Sequence, residues 1–548
     1  MNLIDNEILS NSTKPLLVPK EPVAILLNRS KALFSLVNQC FINNVQYVLL
    51  DPTWPKDRIL FLCYSLNPNT IYTSVEYANM FDCDNAVILD PDAIYQLANS
   101  LSSNDIAYIN YTSGSTGTPK GVEITRASLF NFIEGISEII DFTSKKRIAC
   151  LTTVSFDIFF LESIVALYKG LTVVLANEEE QRNPKLMAKL IQDNAVDMIQ
   201  MTPSRMQLLL NHDKELSCLK NVKEIMIGGE TFPLSLLRTL QEKTVAKIYN
   251  MYGPTETTIW STVSDVTHKD RIDIGRPIKN TEIYIVDESL SILSDGQAGE
   301  ICIAGKGLAK GYVDQDDLTT EKFIYLPQKP DIRVYRTGDM GRYLPDGDLE
   351  YLGRTDNQVK IRGHRIELEE IETHINQFVG IKQSIVIALE TGENDKVLEA
   401  FYTSDSRINS KDIIEYLSSK LPSYMIPVVF KHVENFIQTA NGKIDRKRVL
   451  ECIEIKPDTI TLQNLASDLN AIQKKALSII KSNLEAKITD EISLDTDFTS
   501  IGVDSITFIK VVVALEVEFD FEFDDEMLLI TKFPTIKTMV EYIESKVN

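Results

Sequence analysis

Short apolar runs recur along the chain at the intervals a layered sheet would need. Residues 23–27 (VAILL) and 47–50 (YVLL) are apolar throughout, with a helix-like stretch between them, the order of a strand–helix–strand unit. A further run at 106–111 stands ahead of a helical pattern at 127–140. Beyond it, strand-like runs at 148–153, 171–176, 196–201, 223–228 and 246–250 alternate with helical stretches such as 184–193 and 234–241. Strands buried on both faces read as continuous apolar runs, so this alternation predicts a layered α/β sheet. From 281 to 305 the pattern turns to strands and tight turns, Asp295-Gly296 among them, and predicts a smaller β-rich portion reaching about residue 353.

The pattern changes at Gly353-Arg354-Thr355-Asp356. A hairpin-like segment at 359–361, a helix at 368–378, two strands and another helix follow to about residue 448, which predicts an α+β unit. Residues 453–468 show no strong period and read as a linker. Ile472, Leu477, Ile480 and Leu484 recur at helical spacing and 535–547 repeats the pattern, so the C-terminal part is a small helical unit. The expected division is therefore 1–353, 354–452, a linker at 453–468, and 469–548. No internal repeat is visible.

Composition narrows the function. At 548 residues, with 44% apolar and 24% charged residues, the chain exceeds one core and reads as an ordinary multidomain α/β protein. A formal charge of -22 opposes nucleic-acid binding, which wants a basic face, and leaves room for a local positive site. The seven cysteines (40, 63, 83, 150, 218, 302 and 452) include no CxxC pair, so neither a zinc site nor a disulfide framework is signalled, and a cytoplasmic location is expected. The N-terminal stretch is acidic where a signal peptide would be positive. The most apolar stretch, 156–176, is interrupted by Asp157, Glu162 and Lys169 and falls short of a membrane span.

Chemistry enters at TSGSTGTPKG, residues 112–121. Gly114, Gly117 and Gly121 let the backbone approach a polyphosphate, the hydroxyls of Thr112, Ser113, Ser115 and Thr116 offer hydrogen bonds, and Lys120 adds a positive charge. Between the 106–111 run and the 127–140 pattern it is expected to be a strand-to-helix loop. It departs from the P-loop pattern, because Pro119 precedes Lys120 and Gly121 follows it, so a different nucleotide-binding family is implied. The plainer reading, a surface loop rich in Ser and Gly, is opposed by so long a run of specified positions.

In order after this loop stand NMYGPTET (250–257), GEICIAGKGLAKGY (299–312), YRTGD (335–339), GRTDNQVKIRGHRIE (353–367) and NGKIDRK (441–447). Together they resemble the adenylation domain of nonribosomal peptide synthetases, within the adenylate-forming superfamily, over nearly the whole chain from about residue 20. FTSIGVDSI (498–506) resembles the attachment motif of a peptidyl carrier protein. The resemblance implies an α/β fold with a large layered N-terminal subdomain, a small mobile α+β C-terminal subdomain and a four-helix carrier domain. It implies an amino-acid adenylating ligase that uses ATP and Mg²⁺ and loads its product on 4'-phosphopantetheine attached to Ser505.

Such chemistry requires phosphoryl charge to be neutralised and two mutually repelling anions to be held together. By resemblance Glu256 takes Mg²⁺, Tyr252 lies beside adenine, Asp339 accepts the ribose hydroxyls, and Lys443 bridges substrate carboxylate and phosphate oxygens. Gly229, Glu230, Asn250, Gly253, Thr257 and Arg354 complete the implied nucleotide site. Asp356 is the implied hinge on which the small subdomain turns after adenylation, taking Lys443 away and bringing another face to the adenylate. Taken singly each has a plainer reading: a solvated charge, a core tyrosine, a capping Asp, or Ser505 as a helix N-cap. Their joint placement in ordered motifs favours the functional one.

The same resemblance carries the substrate pocket to Asp157, Ile158, Leu161, Gln200, Met226, Gly228, Met251, Ile259, Trp260 and Lys443. Asp157 would hold an α-ammonium and Lys443 a carboxylate, so the implied substrate is an α-amino acid. Leu161, Met226, Met251 and Trp260 are bulky and apolar and leave little room, and filled volume favours the smallest substrate. The set resembles that of glycine-activating domains, with Met at two positions where Leu is common. Glycine is expected, with alanine second; the plainer reading makes several of these ordinary core residues.

Departures from the family lie at the start. Its usual opening motif is absent and INNVQYVLLD (42–51) replaces a longer segment, so the first subdomain is expected to be shortened. With neither a condensation domain nor a GxSxG thioesterase motif, the acceptor is expected to act in trans. Expected partners are a phosphopantetheinyl transferase, a downstream condensing or tailoring enzyme and a small activating (MbtH-like) protein, with no nucleic acid and no membrane. The acidic run 516–526 would suit a basic face on such a partner, or is simply a solvated helix end. Two rival readings remain. One is a carrier or assembly protein with a degenerate adenylation part, loaded in trans. The other is an acyl-CoA ligase, opposed by Asp157 and by the fused carrier.

Overall fold

The computed structural model describes residues 3–452 apart from 11–12, 17–18, 20, 82–84, 98–104, 115–116, 144, 392–394 and 438–443, and beyond these 471–483, 494, 496, 498, 503, 505–519, 523, 532–533 and 535–547. The chain divides into two compact units, Met1–Glu367 and Leu368–Asn548. Residues 354–367, which the expected boundary assigned to the small subdomain, thus fall in the first unit.

Two large sheets build the first unit. One has the order Gly311–Tyr312, Lys120–Thr125, Ile106–Thr112, Tyr47–Leu50, Val23–Leu26, Thr70–Ser74, Ala86–Leu89. The other runs Leu3–Ile4, Thr172–Leu175, Arg147–Cys150, Met198–Met201, Glu224–Gly228, Lys247–Tyr252, Thr262–Asp265, Arg276–Pro277. The central pairings are parallel in both, and the apolar runs read from the sequence are these central strands. Helices cover them where the periodicity places them. Lys31–Ile42 is capped by the Ser30 side chain, Arg126–Ile139 by Thr125, and Pro184–Asp193 by Asn183 with proline in its first turn. Leu33, Phe34 and Leu36 of the first of these helices share one core with Phe132 and Ile133 of the second, with Phe159 and Phe160, and with strand residues of both sheets. Burying these apolar faces is what holds the layers together. A five-stranded antiparallel sheet, Thr281–Val286, Gly299–Gly305, Lys329–Tyr343, Phe323–Leu326 and Leu349–Arg354, is the β-rich portion.

One expectation is corrected. The 113–119 loop joins two antiparallel strands, Ile106–Thr112 and Lys120–Thr125, and the helix begins only at Arg126, so the loop is a hairpin connection rather than a strand-to-helix loop. Val122 and Ile124 point into the core, while Gly121 lets the second strand lie against Tyr111: a Cβ there would stand 3.0 Å from the tyrosine ring.

In the second unit, strands Ile381–Thr391 and Asp395–Ser404 form an antiparallel hairpin, and Val429–His432 adds to it in parallel. Helices Leu368–Asn376 and Ser410–Ser418 belong with it. Arg446, within the NGKIDRK motif, donates to Glu372 Oε1 at 2.7 Å and to the Val386 carbonyl at 2.6 Å. The C-terminal helices Ala471–Asn483, Ser505–Phe519 and Ile536–Val547 enclose a core of Ile480, Phe508, Val511, Leu515, Met539 and Ile543. The linker 453–468, Leu484 and most of the acidic run lie outside the described residues. Among the described residues no helix is long and apolar enough to cross a membrane.

Candidate active site

The phosphate loop meets the hairpin formed by Val359–Ile361 and His364–Ile366. Ser113 Oγ donates to the Arg365 carbonyl at 2.7 Å and accepts from the Glu367 amide at 3.2 Å. Gly117 is at φ +86° and its amide closes a turn onto the Gly114 carbonyl at 3.1 Å, while a Cβ on Gly114 would run into the Thr118 carbonyl. Among the described residues the buried Thr112 hydroxyl has no hydrogen-bond partner. Ser115 and Thr116 lie outside the described residues.

Glu256 is the electrostatic centre. It is fully buried on the short 3₁₀ turn Thr255–Thr257, and it accepts from Arg365 Nη1 at 2.7 Å and from Tyr312 Oη at 2.8 Å. Lys120 Nζ stands 3.4 Å away and 5.0 Å above the Tyr312 ring. Burial alone would raise the Glu256 carboxyl, but the Arg365 and Lys120 charges reverse this and hold it well below the usual carboxylate range. Lys120 is pushed down to about 8, by burial first and by the nearby Arg365 charge second, with Glu256 opposing both.

A second carboxylate organises the next part of the site. Asp339 accepts from Tyr252 Oη at 2.6 Å and from Arg354 Nη1 at 2.6 Å. The same guanidinium reaches the Thr337 carbonyl at 3.0 Å and the carboxylate of Asp356. The residues expected at the ribose, at the adenine and at the hinge are therefore one connected group.

The pocket residues also come together. Asp157 is buried; burial pushes its carboxyl up to about 6, against the hydrogen bond with Thr255. Ile158, Leu161, Gln200, Met226, Met251, Ile259 and Trp260 are all buried. Gly228 forms the wall against Trp260, where a Cβ would lie 2.7 Å from the indole Cη2 and 2.7 Å from the Met251 carbonyl. Gly229, at φ +85°, sits near Ile158 and Phe156, and a Cβ on Gly253 would collide with the backbone of 259–261.

Other expected nucleotide residues have partners within the protein. Asn250 Nδ2 donates to the Asp273 carbonyl at 2.7 Å, Thr257 Oγ1 lies 2.6 Å from Ser261 Oγ, and Glu230 accepts from the amide and hydroxyl of Ser204. Lys443 lies outside the described residues, between described segments ending at Ile437 and resuming at Ile444. Ser505 is the first residue of its helix.

Two residues of the site, and Glu162, which hydrogen-bonds the pocket residue Gln200, had no role in the sequence reading. Arg365 and Tyr312 lie inside quoted motifs, and only the fold brings both to Glu256. Glu162 was visible only as a charge interrupting an apolar stretch. The donor set suits a polyanion: the buried Lys120, the largely buried Arg365 and the Thr112 hydroxyl, which has no hydrogen-bond partner among the described residues, lie at the loop and its strands. Glu256, ionised, is the carboxylate that fits Mg²⁺. Among the described residues no group of three or more His, Cys, Asp or Glu could hold a metal ion.

Residues 17–313 match the AMP-binding enzyme family and residues 475–543 the phosphopantetheine attachment site. The chain belongs to the AMP-binding enzyme family, as an adenylation domain joined to a peptidyl carrier domain. It is 37% identical over 444 residues to the dimodular nonribosomal peptide synthase of Bacillus subtilis (strain 168), which covers 78% of this chain and 18% of that protein. The chain thus spans less than a fifth of the length of that relative. A holo nonribosomal peptide synthetase protein containing adenylation and carrier domains, bound to a vinylsulfonamide inhibitor, superposes with a TM-score of 0.77 at 24% identity, covering 98% of this chain and 90% of that one. A four-domain holo nonribosomal peptide synthetase bound to AMP and glycine gives a TM-score of 0.57 at 30% identity, covering 98% and 40%.

Proposed function

We propose that this chain activates glycine as its adenylate and transfers it to a phosphopantetheine thiol on Ser505. The observation that carries the glycine reading is the packing of Gly228 against Trp260 and Met251, taken with the burial of the Asp157 carboxylate. Asp157 pairs with the α-ammonium, and the bulk of the buried Leu161, Met226, Met251 and Trp260 leaves little room for a side chain. The relative bound to AMP and glycine supports the same choice.

Lys120 and Arg365 neutralise phosphate charge, Glu256 takes Mg²⁺, and Asp339 holds the ribose hydroxyls. Lys443 brings the substrate carboxylate to the α-phosphorus; the new C–O–P bond forms as pyrophosphate leaves. The chain then turns at Asp356. The hairpin seated on Ser113 and Glu256 fits this second stage, because it presents the face that follows the hinge. Phosphopantetheine, when attached to Ser505, supplies the thiol that takes the glycyl group as AMP departs. Phosphopantetheinyl transferase, a condensing or tailoring enzyme acting in trans and a small activating protein are the partners, in a cytoplasmic setting.

The test is amino-acid-dependent pyrophosphate exchange into ATP across the proteinogenic amino acids, with and without an activating partner. Glycine should give the highest rate and alanine the second. A preference for a larger side chain would overturn glycine. Absence of exchange in folded protein whose Ser505 still accepts phosphopantetheine would favour the carrier reading.

A further inference from the structure

We infer that Glu162 is a positioning residue for substrate size: through Gln200 it fixes the Trp260 ring as the wall that excludes larger amino acids. The inference rests on the glycine reading of the same pocket and adds a residue outside its lining. Glu162 lies on the π turn Leu161–Val165, a distortion often found at functional sites, and is fully buried. Its Oε2 accepts from the Leu151 and Thr152 amides at 2.8 and 2.9 Å. Its Oε1 accepts from Thr152 Oγ1 at 2.5 Å and from Gln200 Nε2 at 3.2 Å. With donors on both oxygens, the carboxylate is acceptor only.

An acceptor-only carboxylate sets the orientation of the neighbouring amide. Gln200 must turn its NH₂ toward Glu162, where it also meets the Ile158 carbonyl at 3.3 Å, and its Oε1 is left facing the opposite way. There it accepts from Trp260 Nε1 at 3.0 Å, and an indole nitrogen can only donate. Acceptor, amide and donor are satisfiable in one direction, so the indole has one orientation. In that orientation Cη2 lies 2.7 Å from the position of a Cβ on Gly228. An apolar pocket discriminates a single methyl group weakly, and rejection by clash requires a wall that does not yield. A buried indole N–H tied into a satisfied network supplies such a wall.

The experiment uses the full chain carrying Trp54→Phe, which leaves Trp260 as the sole tryptophan. Two readouts are taken: solvent exchange of the ¹⁵N-labelled indole N–H, and the ratio of kcat/KM for alanine to that for glycine in pyrophosphate exchange. Glu162→Gln places an amide against donors and should speed indole exchange and raise the alanine-to-glycine ratio, each at least about tenfold. Trp260→Phe keeps a ring and removes the N–H, so it should raise the ratio as well, and the double variant should add nothing further. An unchanged ratio in folded Glu162→Gln, or equal losses for both substrates, would overturn the inference. So would a ratio that responds to Trp260→Phe alone. If the unsubstituted protein prefers another amino acid, the glycine reading falls. The inference then stands only if both variants shift preference to the next larger side chain.

Discussion

Arg354 holds Asp356 through two hydrogen bonds, Nε to Oδ1 at 2.7 Å and Nη2 to Oδ2 at 2.6 Å, while its remaining nitrogen reaches Asp339. The implied hinge and the implied ribose carboxylate therefore share one guanidinium. Lysine keeps the charge and cannot keep this planar, forked geometry. Arg354→Lys should raise the KM for ATP in pyrophosphate exchange about tenfold, the size of one lost charge-assisted hydrogen bond. Because Asp356 is released as well, single-turnover loading of Ser505 should slow by more than exchange does. Equal losses in the two assays would separate Arg354 from the turn at Asp356.

The Glu256–Arg365 pair gives a prediction in stability. Both side chains are largely buried, and removing one member of such a pair leaves an incompletely compensated charge, which costs ~3–5 kcal/mol. Arg365→Met should lower the stability of the first unit by that order in urea unfolding at pH 7 without nucleotide. The pH dependence has a definite sign. Glu256 is held below its ordinary value of 4.5, so the native protein binds fewer protons there than the unfolded chain. Its contribution is present above pH 4.5 and is lost as pH falls toward the lowered value. The gap between parent and variant should therefore narrow below that pH, and a constant gap would mean that Arg365 acts through packing alone.

Much of this architecture was legible because parallel strands buried on both faces cannot hide. The runs at 47–50 and 223–228 are strands Tyr47–Leu50 and Glu224–Gly228, and the helical pattern at 184–193 is Pro184–Asp193. Lys120–Thr125 was missed because lysine, glycine and glutamate mix with Val122 and Ile124, and its strand character comes from pairing with Ile106–Thr112. Glu162 read as a break in an apolar stretch, since nothing local shows that Gln200, 38 positions away, will meet it. Arg365 stood in a recognised motif without a role, because its partner Glu256 lies 109 positions off. The pocket was reachable through resemblance alone, as Gly228, Met251 and Trp260 converge only in three dimensions.

Asp157 yields a prediction for substrate use. Burial pushes its carboxyl up to about 6, and only the ionised form can pair with an ammonium. kcat/KM for glycine should be flat above about pH 7 and fall below 6, approaching about tenfold per pH unit. The ATP dependence measured at saturating glycine should lack this limb. A glycine profile flat down to pH 5 would take the ammonium away from Asp157.

Lys443 and Ser505 should divide the reaction into its halves. Removing a cation that acts where charge develops typically costs about 10²–10³ in rate, so Lys443→Ala should lose pyrophosphate exchange by at least that factor while binding ATP nearly as before. Ser505→Ala should exchange pyrophosphate at the parent rate, because adenylate formation does not require the thiol, yet retain no labelled glycine after acid precipitation. Thermal melting of each variant checks that folding is unaltered. Label held by Ser505→Ala would place the thioester elsewhere. Parent-like exchange in Lys443→Ala would mean that the charge on the α-phosphate is met by other cations, for which Lys120 and Arg365, already gathered around Glu256, are the groups in place.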